Sequence, residues 1–429
     1  MEMNFSCNYV TLPSSLQILI IDTSNNPTAL RNVTCTDYAG IFMSDQKEKY
    51  FKGRRIFPDP IVDGLSIKNL IDRYFNGYNA ARVQEICRLV SGDMSGSDVY
   101  IGVSLSGALT PAGLGSSCIV PMIRSGMIDY IITTGANLYH DLHHSLDLEL
   151  TQGTPFVDDK ELFEKDIIRI YDIFMDYKVL ATTDNWLVQT FSRTEFQKRM
   201  GTRDLHYMLG KFADEVEQER GTVGKSFLAE AYRYEVPIYT SSPGDSTLGL
   251  DIAALNLIGK DICIDPSIDV NETAALVLEA KRTGRSGVII WGGGSPKNFI
   301  LQPEPALQEV LGFDIKGHDY FVQVTDARPD TGGLSGATPT EAVSWAKIDP
   351  DTVNQSVVCY SDTTIVMPLL TAYLEGCGIR REPRRLYNKI PGLVEKLRES
   401  FMEQEDLILG KRSVESTIKF LKNSKRDKE

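Results

Sequence analysis

The sequence lacks the long apolar runs of membrane proteins. It has 429 residues, of which 42% are hydrophobic and 24% are charged. No window approaches the roughly 20 apolar residues that a membrane-spanning helix needs. The first residues, MEMNFSCNYVTLPSS, lack a basic segment followed by a long apolar stretch, so we expect no secretory signal. These absences favour a globular protein of the cytoplasm.

Paired cysteines and an excess of positive charge are also missing. The seven cysteines are scattered and form no C-x-x-C pair, which favours reduced thiols in a cytosolic setting and argues against a zinc site. The formal net charge is −13, and this disfavours nucleic acid as the partner because phosphate binding needs a basic surface. An acidic chain would suit a cationic ligand, although an acid excess more often only keeps a protein in solution.

Short β-branched runs alternate with longer segments of helical pattern, which predicts an α/β fold with a mostly parallel sheet. The predicted strands are residues 99–103, 130–133, 236–239, 287–291, 320–324 and 356–359. The predicted helices are residues 67–89, 160–177, 271–283 and 394–421, the third beginning at Asn271 as its cap. Ligands of such sheets bind at the carboxyl ends of the strands, so these ends are the first candidates for a site.

The chain divides by composition into three parts. Residues 1–60 are rich in turn formers and are predicted to be an N-terminal extension. Residues 61–392 carry the alternating pattern of the α/β domain, with a helical insertion at about 151–235. Residues 393–429 are predicted to form a C-terminal helix and a solvated tail.

Two turns follow predicted strands and carry residues of chemical interest. Gly292-Gly293-Gly294 would let the backbone approach a ligand closely, but G-x-G-x-x-G is absent, so any dinucleotide must bind by another pattern. The segment 133–144 contains three histidines, and a spacing of i and i+4 on a helix can serve one metal. No ligand stands out in a second segment, so we expect no metal site.

A glycine-rich loop at 332–336 runs into a short predicted helix that ends near Lys347, with Asp349-Pro350 as the stop signal. A lysine beside a tryptophan and a buried carboxylate can lose its proton and attack imines, although a lysine at a helix end is usually solvated. At about 100° per residue, Trp345 and Lys347 lie on opposite faces of a continuous helix. Both can line one site only if the helix ends or tightens there.

Several strings, in the same order, resemble the deoxyhypusine synthase family over about residues 65–390. They are EAVSWAK at 341–347, the preceding GGLSGA, the GGG turn with Lys297, TTG at 133–135 and YSDTTIVMPLL at 360–370. The resemblance implies a Rossmann-like, doubly wound sheet with helices on both faces, in a homotetramer. It also implies that NAD and polyamine sites lie at dimer interfaces, and that an aminobutyl group moves from spermidine through a lysine imine.

The resemblance also implies roles for individual residues. Lys347 matches the imine-forming lysine, and Glu341 and Trp345 match residues that line the polyamine channel. The positions that match the NAD site are Ser106, Gly107, Ala108, Leu109, Thr110, Thr134, Gly135, Ala136, Asp245, Gly293, Asp326, Ala327, Asp362 and Thr363. The positions that match the substrate side are Tyr139, His140, Asn298, Gly332, Gly333, Leu334 and Glu341.

The substrate side departs from the family pattern. Tyr139 and His140 stand where the family has two glutamates, Asn298 where it has a histidine, and Leu334 where it has an aspartate. A further aspartate falls at Leu250, one step before Asp251. Carboxylates are what a polycation needs, so their loss changes how the amine is held. This pattern is similar to the divergent deoxyhypusine synthase-like branch, which includes members that form homospermidine.

Three classes of function remain open on these residues. The first is an NAD-dependent aminobutyl transferase, whose acceptor is either a small diamine such as putrescine or a lysine of a translation factor. The second is an NAD-dependent amine dehydrogenase or an NAD-consuming enzyme, in which the transfer step is lost. The third is a protein that binds NAD or polyamine without catalysis.

Overall fold

The computed structural model describes residues 50–56 and 59–404. The chain forms two compact units, Met1–Val62 and Asp63–Glu429. The described residues of the first unit contain no helix or strand. Most of the predicted N-terminal extension at 1–60, and the part of the predicted helix 394–421 beyond residue 404, lie outside the described residues.

The described part of the second unit alternates strands and helices. Its strands are β1 Val99–Leu105, β2 Tyr130–Thr133, β3 Thr151–Gln152, β4 Ile167–Ile170, β5 Ile173–Asp176, β6 Arg199–Met200, β7 Ile238–Thr240, β8 Cys263–Ile264, β9 Arg285–Trp291, β10 Tyr320–Thr325 and β11 Ser356–Tyr360. Its helices are α1 Ile67–Tyr74, α2 Tyr78–Ser91, α3 Val120–Arg124, α4 Gly135–Ser145, α5 Asp159–Glu164, α6 Tyr177–Phe191, α7 Thr202–Arg220, α8 Phe227–Arg233, α9 Thr247–Leu257, α10 Pro266–Thr283, α11 Gly294–Leu301, the single turn α12 Pro303–Pro305, α13 Pro339–Ser344, α14 Thr363–Cys377 and α15 Ile390–Met402.

The main sheet has six parallel strands in the order β11-β10-β9-β1-β2-β7. Its central pair, β1 and β9, is in register from Val99 opposite Arg285 to Leu105 opposite Trp291. All seven residues of β1 are buried, as expected for a parallel strand covered by helices on both faces. Two hydrophobic clusters form the core. The predicted doubly wound α/β fold is therefore confirmed.

The strand order places a switch point between β1 and β9. From β1 the chain moves outward to β2 and β7, whereas from β9 it moves the other way to β10 and β11. The register keeps the carboxyl ends level, since Leu105 lies opposite both Thr133 and Trp291. Ligands of open α/β sheets bind in the crevice outside such a point.

The predicted helix at 160–177 is wrong. A short helix, α5, is followed by the antiparallel pair β4 and β5, which forms a three-stranded sheet with β3. The run IIRIYDIFM is rich in β-branched and aromatic side chains, which favour strands. Asp166 and Tyr171 have positive φ angles of 56° and 55°, which interrupt a helix on either side of β4. The segment 151–235 therefore contains a small sheet as well as α6, α7 and α8.

Two other predicted helices have different bounds. The helix predicted at 67–89 is broken into α1 and α2, because Asn76-Gly77 lies between them and Gly77 is the N-cap of the second helix. The helix predicted at 271–283 begins earlier, at Pro266. Its N-cap is Asp265, whose side chain accepts from the amide of Ser267, and proline is favoured at the first helical position.

A buried ion-pair cluster fixes the sheet to the segment after α14. The Oδ2 atom of Asp129 accepts from the amide of Ile101 at 2.7 Å and from Nη2 of Arg381 at 3.1 Å. Arg381 Nη2 also donates to the carbonyl oxygen of Val99 at 2.7 Å, and Arg384 Nε lies 3.4 Å from Asp129 Oδ1. The side chains of Asp129 and Arg381 are only 1% and 4% exposed. Removal of one partner would leave a buried charge without compensation.

We expect Arg381→Met to lower the free energy of unfolding by about 3–5 kcal/mol, measured by urea denaturation, because it leaves Asp129 buried against a single remaining arginine. The matched control is Arg380→Met, since Arg380 forms a largely exposed pair with Glu375. That change should cost less than about 1 kcal/mol. An equal loss of unfolding free energy in the two variants would contradict the stabilising role of the buried pair of Asp129 and Arg381.

Candidate active site

A pocket of about 680 Å³ lies beside the carboxyl edge of the sheet. Its walls come from α11, the turn at 302–310, the loop at 334–337 and the segment from α13 to Lys347, with Ser241 after β7. It brings together residues that the sequence predicted separately: Asn298, Leu334, Glu341, Trp345 and Lys347. The predicted Gly332 and Gly333 directly precede Leu334 in the loop.

The helix that leads to Lys347 ends in a left-handed turn. Ala346 has a φ of 56°, and its amide donates to the carbonyl oxygen of Val343 at 3.0 Å. The amide of Lys347 donates to the carbonyl oxygen of Ala342, also at 3.0 Å. This is the Schellman pattern of a helix end, with alanine where glycine is usual. Because the helix ends there, Trp345 and Lys347 both line the pocket.

Both the backbone and the side chain of the Lys347 segment are held. The carbonyl oxygen of Lys347 accepts from the amide of His318 at 3.1 Å, and that of Ala346 accepts from Gln308 Nε2 at 2.9 Å. Lys347 Nζ donates to Oδ1 of Asn298 at 2.9 Å. The side chain of Lys347 is half-buried, and its amine is directed toward Asn298 on α11.

A second lysine, Lys297, lies in the wall of the same pocket and was not assigned a role from the sequence. It is only 3% exposed, and its Nζ donates to Gln323 Oε1 at 2.9 Å and to the carbonyl oxygens of Ser335 and Ala337 at 3.2 and 2.7 Å. Burial lowers the pKa of Lys297 to about 8. The only sequence signal for this residue is its place after the GGG turn.

Gln323 on β10 connects the two glycine segments. Its Nε2 donates to the carbonyl oxygens of Gly292 and Ser335, both at 2.9 Å. A Cβ atom on Gly293 would lie 2.4 Å from Cβ of Ser335, so the GGG turn packs directly against Ser335 of the loop. Glycine is needed at 293 for this close approach. The GGG turn at the carboxyl edge of the sheet is thereby fixed to the wall of the pocket.

The predicted cofactor residues all follow strands of the main sheet at its carboxyl edge. They are Ser106 to Thr110 after β1, Thr134 to Ala136 after β2, Asp245 after β7, Gly293 after β9, Asp326 and Ala327 after β10, and Asp362 and Thr363 after β11. Since the strands are parallel and their ends are level, these positions form one rim around the switch point.

The rim has the chemistry of a dinucleotide site. Gly107 has a φ of 67°, and the position of a Cβ atom on it is open space. Thr134 Oγ1 donates to the carbonyl oxygen of Gly107 at 2.6 Å and accepts from the amide of Asn137, which fixes the start of α4. The first amides of α4 suit a pyrophosphate. The exposed carboxylates Asp245 and Asp326 suit ribose hydroxyls, so the residues present fit NAD.

Tyr139 and His140 do not line the large pocket. Tyr139 is 4% exposed and donates from its hydroxyl to Asp184 Oδ1 at 2.6 Å, and His140 Nδ1 lies 3.0 Å from His143 Nε2. Burial lowers the pKa of His140 to about 4 and that of His143 to about 3, so both rings are neutral at pH 7. Burial also raises the pKa of Asp251 to about 6, with a contribution from Asp184.

In residues 50–56 and 59–404, no three His, Cys, Asp or Glu side chains are grouped to hold a metal ion.

The walls of the large pocket combine apolar surface with two carboxylates. Glu341 lies in the first turn of α13, and Glu309, which the sequence did not single out, lies in the turn after α12. Phe299, Phe321 and Trp345 supply flat apolar surface. Such a lining suits an aliphatic chain that carries ammonium groups.

Among the described residues, no helix has the length and the apolar character of a membrane-spanning segment.

The comparisons with known proteins identify the family of the chain. The family model of deoxyhypusine synthase matches residues 69–374. A deoxyhypusine synthase-like protein of Nostoc punctiforme is 53% identical over 351 residues, covering 82% of this chain and 90% of the relative. A protein of Methanosarcina acetivorans named "Probable deoxyhypusine synthase 2" is 36% identical over 310 residues, covering 72% and 86%.

A crystal structure from Entamoeba histolytica, named as a deoxyhypusine synthase, aligns with a TM-score of 0.51 at 14% identity, covering 75% of this chain and 97% of that chain. At this identity the likeness concerns the fold alone. The sequence relatives and the family model confirm the resemblance that the ordered motifs indicated. The chain belongs to the deoxyhypusine synthase family.

Proposed function

We propose that this chain is an NAD-dependent aminobutyl transferase that uses a spermidine-like donor and a small diamine as acceptor. The observation that carries the proposal is the half-buried amine of Lys347, held by Asn298 in a pocket that also contains Glu341 and Trp345. The pocket lies beside a rim of residues that fit a dinucleotide. The family relationship supports the same reaction class.

The pocket holds the donor by its charge and by its chain. The carboxylates of Glu309 and Glu341 bind ammonium groups, and Trp345 and Phe299 pack against methylene groups. A volume of about 680 Å³ accommodates a linear polyamine of this kind. The donor is thereby oriented with one of its secondary-amine carbons near Lys347.

The group transfer proceeds through a covalent bond to Lys347. When bound, NAD supplies the acceptor for one hydride of the donor and later returns that hydride to the product, so no net oxidation occurs. The neutral amine of Lys347 adds to the carbon of the oxidised C=N bond, and 1,3-diaminopropane leaves with the proton that Lys347 gave up. The acceptor amine then adds to the same carbon and releases Lys347 as a free amine. The donor loses one aminobutyl group and the acceptor gains it.

Two neutral residues of the pocket favour a small diamine over a protein lysine as acceptor. Asn298 and Leu334 line the pocket at positions where the family pattern has a histidine and an aspartate. Fewer ionic partners suit a smaller cation, with putrescine as the candidate and homospermidine as the product. A lysine of a translation factor is the other possible acceptor, and analysis of the reaction products would distinguish the two.

We also propose that the active form is a homotetramer, which sedimentation of the purified protein would test.

We expect purified protein with NAD, spermidine and putrescine to form homospermidine and 1,3-diaminopropane, detected by mass spectrometry. Lys347→Ala should lower the rate by at least about a thousandfold, because it removes the nucleophile. The control is Lys316→Ala, since Lys316 is an exposed lysine beside Asp349 and Asp351.

A rate that survives in Lys347→Ala would exclude the imine mechanism. Release of NADH without transfer would instead indicate an amine dehydrogenase, and release of nicotinamide an NAD-consuming enzyme. An increase in mass of a translation factor would indicate the protein acceptor, and binding without any product would indicate a non-catalytic protein.

Glu341→Gln and Glu309→Gln should each raise the KM for spermidine by roughly 10-fold to 100-fold, since a hydrogen bond to a charged group contributes about 1.5–3 kcal/mol. Initial rates over a range of spermidine concentrations measure this change. Glu375→Gln serves as the control, because Glu375 lies on α14 and pairs with Arg380 outside the pocket. Unchanged KM values in both pocket variants would contradict the proposed binding mode.

A further inference from the structure

The left-handed turn at the end of α13 holds an alanine in a conformation that L-residues rarely adopt. Ala346 has a φ of 56°, where its Cβ atom crowds the following carbonyl oxygen, and glycine is the usual residue at this position of a helix end. Lys347 follows directly in the chain. A rotation about φ of Ala346 would therefore move the lysine amine away from its partner, Asn298, on α11.

The carbonyl oxygens of this turn are held from outside the helix. The last carbonyl groups of a helix have no partner within it and need donors from elsewhere. Gln308 Nε2 donates to the carbonyl oxygen of Ala346 at 2.9 Å, and the amide of His318 donates to that of Lys347 at 3.1 Å. The amide of Asp349 donates to the carbonyl oxygen of His318, also at 3.1 Å. Of these bonds, the one from Gln308 acts on the left-handed residue itself.

The turn at 302–310, which carries Gln308, is fixed to the same segment at a second point. Oε1 of Glu304 lies 3.4 Å from Nδ1 of His318, and both side chains are fully buried. His318 is the residue whose amide holds the carbonyl oxygen of Lys347. The turn therefore contacts the end of α13 directly through Gln308 and indirectly through Glu304, which gives Gln308 a fixed base.

We propose that Gln308 is a positioning residue for Lys347: its hydrogen bond keeps Ala346 left-handed and thereby keeps the amine of Lys347 in the pocket, beside Asn298. The inference rests on the proposed role of Lys347 as nucleophile. A nucleophile acts efficiently only when it is held in a narrow range of geometries, and the residues around it supply this constraint. Gln308 supplies it without contact with the substrate.

Gln308 lies outside the lining of the pocket, whereas its neighbour Glu309 lies within it. Two consecutive residues of one turn therefore have different tasks. Glu309 faces the space for the bound amine, and Gln308 acts through the backbone of Ala346. Loss of the Gln308 hydrogen bond should therefore slow the transfer step and leave the binding of spermidine almost unchanged.

The test combines substitutions at 308 with a change of residue 346. Gln308→Leu removes the donor, and Gln308→Glu keeps the shape of the side chain but cannot donate when it is ionised. Ala346→Gly removes the Cβ atom that makes the left-handed conformation costly. The control is Gln404→Leu, since Gln404 Nε2 also donates to a backbone carbonyl oxygen, that of Leu311 directly after the same turn, at 3.1 Å.

We expect Gln308→Leu and Gln308→Glu to lower kcat for aminobutyl transfer by roughly 3-fold to 10-fold, the range that one neutral hydrogen bond contributes. The KM for spermidine should stay within about twofold of the wild-type value, because the lining of the pocket is unchanged. In the Ala346→Gly background, Gln308→Leu should lower kcat by less than about twofold, since glycine needs no support in this conformation. Gln404→Leu should leave kcat within about twofold of the wild-type value.

Hydrogen exchange measures the same turn without any transfer reaction. The full-length protein is incubated in deuterated buffer, and the peptide that spans α13 and Lys347 is followed by mass spectrometry. The amides of Ala346 and Lys347 donate within the turn, so their exchange rate reports how often the turn opens. Exchange should be faster in Gln308→Leu by roughly 3-fold to 10-fold, and the increase should be absent in the Ala346→Gly background.

Two results would overturn the inference. One is an unchanged kcat in both variants at 308, whatever their exchange rates. The other is a loss of equal size in the wild-type and Ala346→Gly backgrounds, which would assign Gln308 a packing role that does not involve the left-handed turn. A protein that shows the expected exchange but forms no aminobutyl product would retain the hold of Gln308 on the turn and reject the proposed function. Normal transfer by both variants at 308 would reject this inference and leave the proposed function intact.

Discussion

The parallel pairing of β1 with β9 is the constraint on which the candidate site depends. This pairing sets the two halves of the sheet side by side, and the connections after the two strands leave toward opposite sides. Hydrogen bonds join the residues that follow the carboxyl ends of β1 and β9. The amide of Ser106 donates to the carbonyl oxygen of Trp291 at 3.1 Å, and the amide of Gly293 donates to Ser106 Oγ at 3.2 Å. The rim that fits a dinucleotide and the pocket that contains Lys347 are both built outward from this point.

Neutral hydrogen bonds join the walls of the large pocket. Gln323 joins the GGG turn to the glycine-rich loop, and Lys297 donates hydrogen bonds to Gln323 and to the carbonyl oxygens of Ser335 and Ala337. Two neutral residues, Asn298 and Leu334, line this pocket. They stand where the family pattern has a histidine and an aspartate.

The sequence predicted the main sheet well because its buried parallel strands are short apolar runs that end in small or polar residues. It failed at 160–177, where a run of isoleucines suits a strand but its spacing also suits a helix. The residues that it singled out in continuous strings such as EAVSWAK do line one pocket. It could not predict that Lys297 meets Gln323 on another element, nor that Tyr139 and His140 lie in a separate buried cluster. These contacts depend on how elements distant in sequence pack.

The same central pairing determines when the site can form during synthesis. Ser106 and Gly293, which meet at the switch point, are 187 residues apart in the chain. After β1 has left the ribosome, nearly all of the intervening residues must be synthesised before β1 can pair with β9. Until then one side of an almost wholly apolar strand has no neighbour, a condition that slows folding and invites aggregation. The nascent chain therefore exposes this strand edge for most of its elongation.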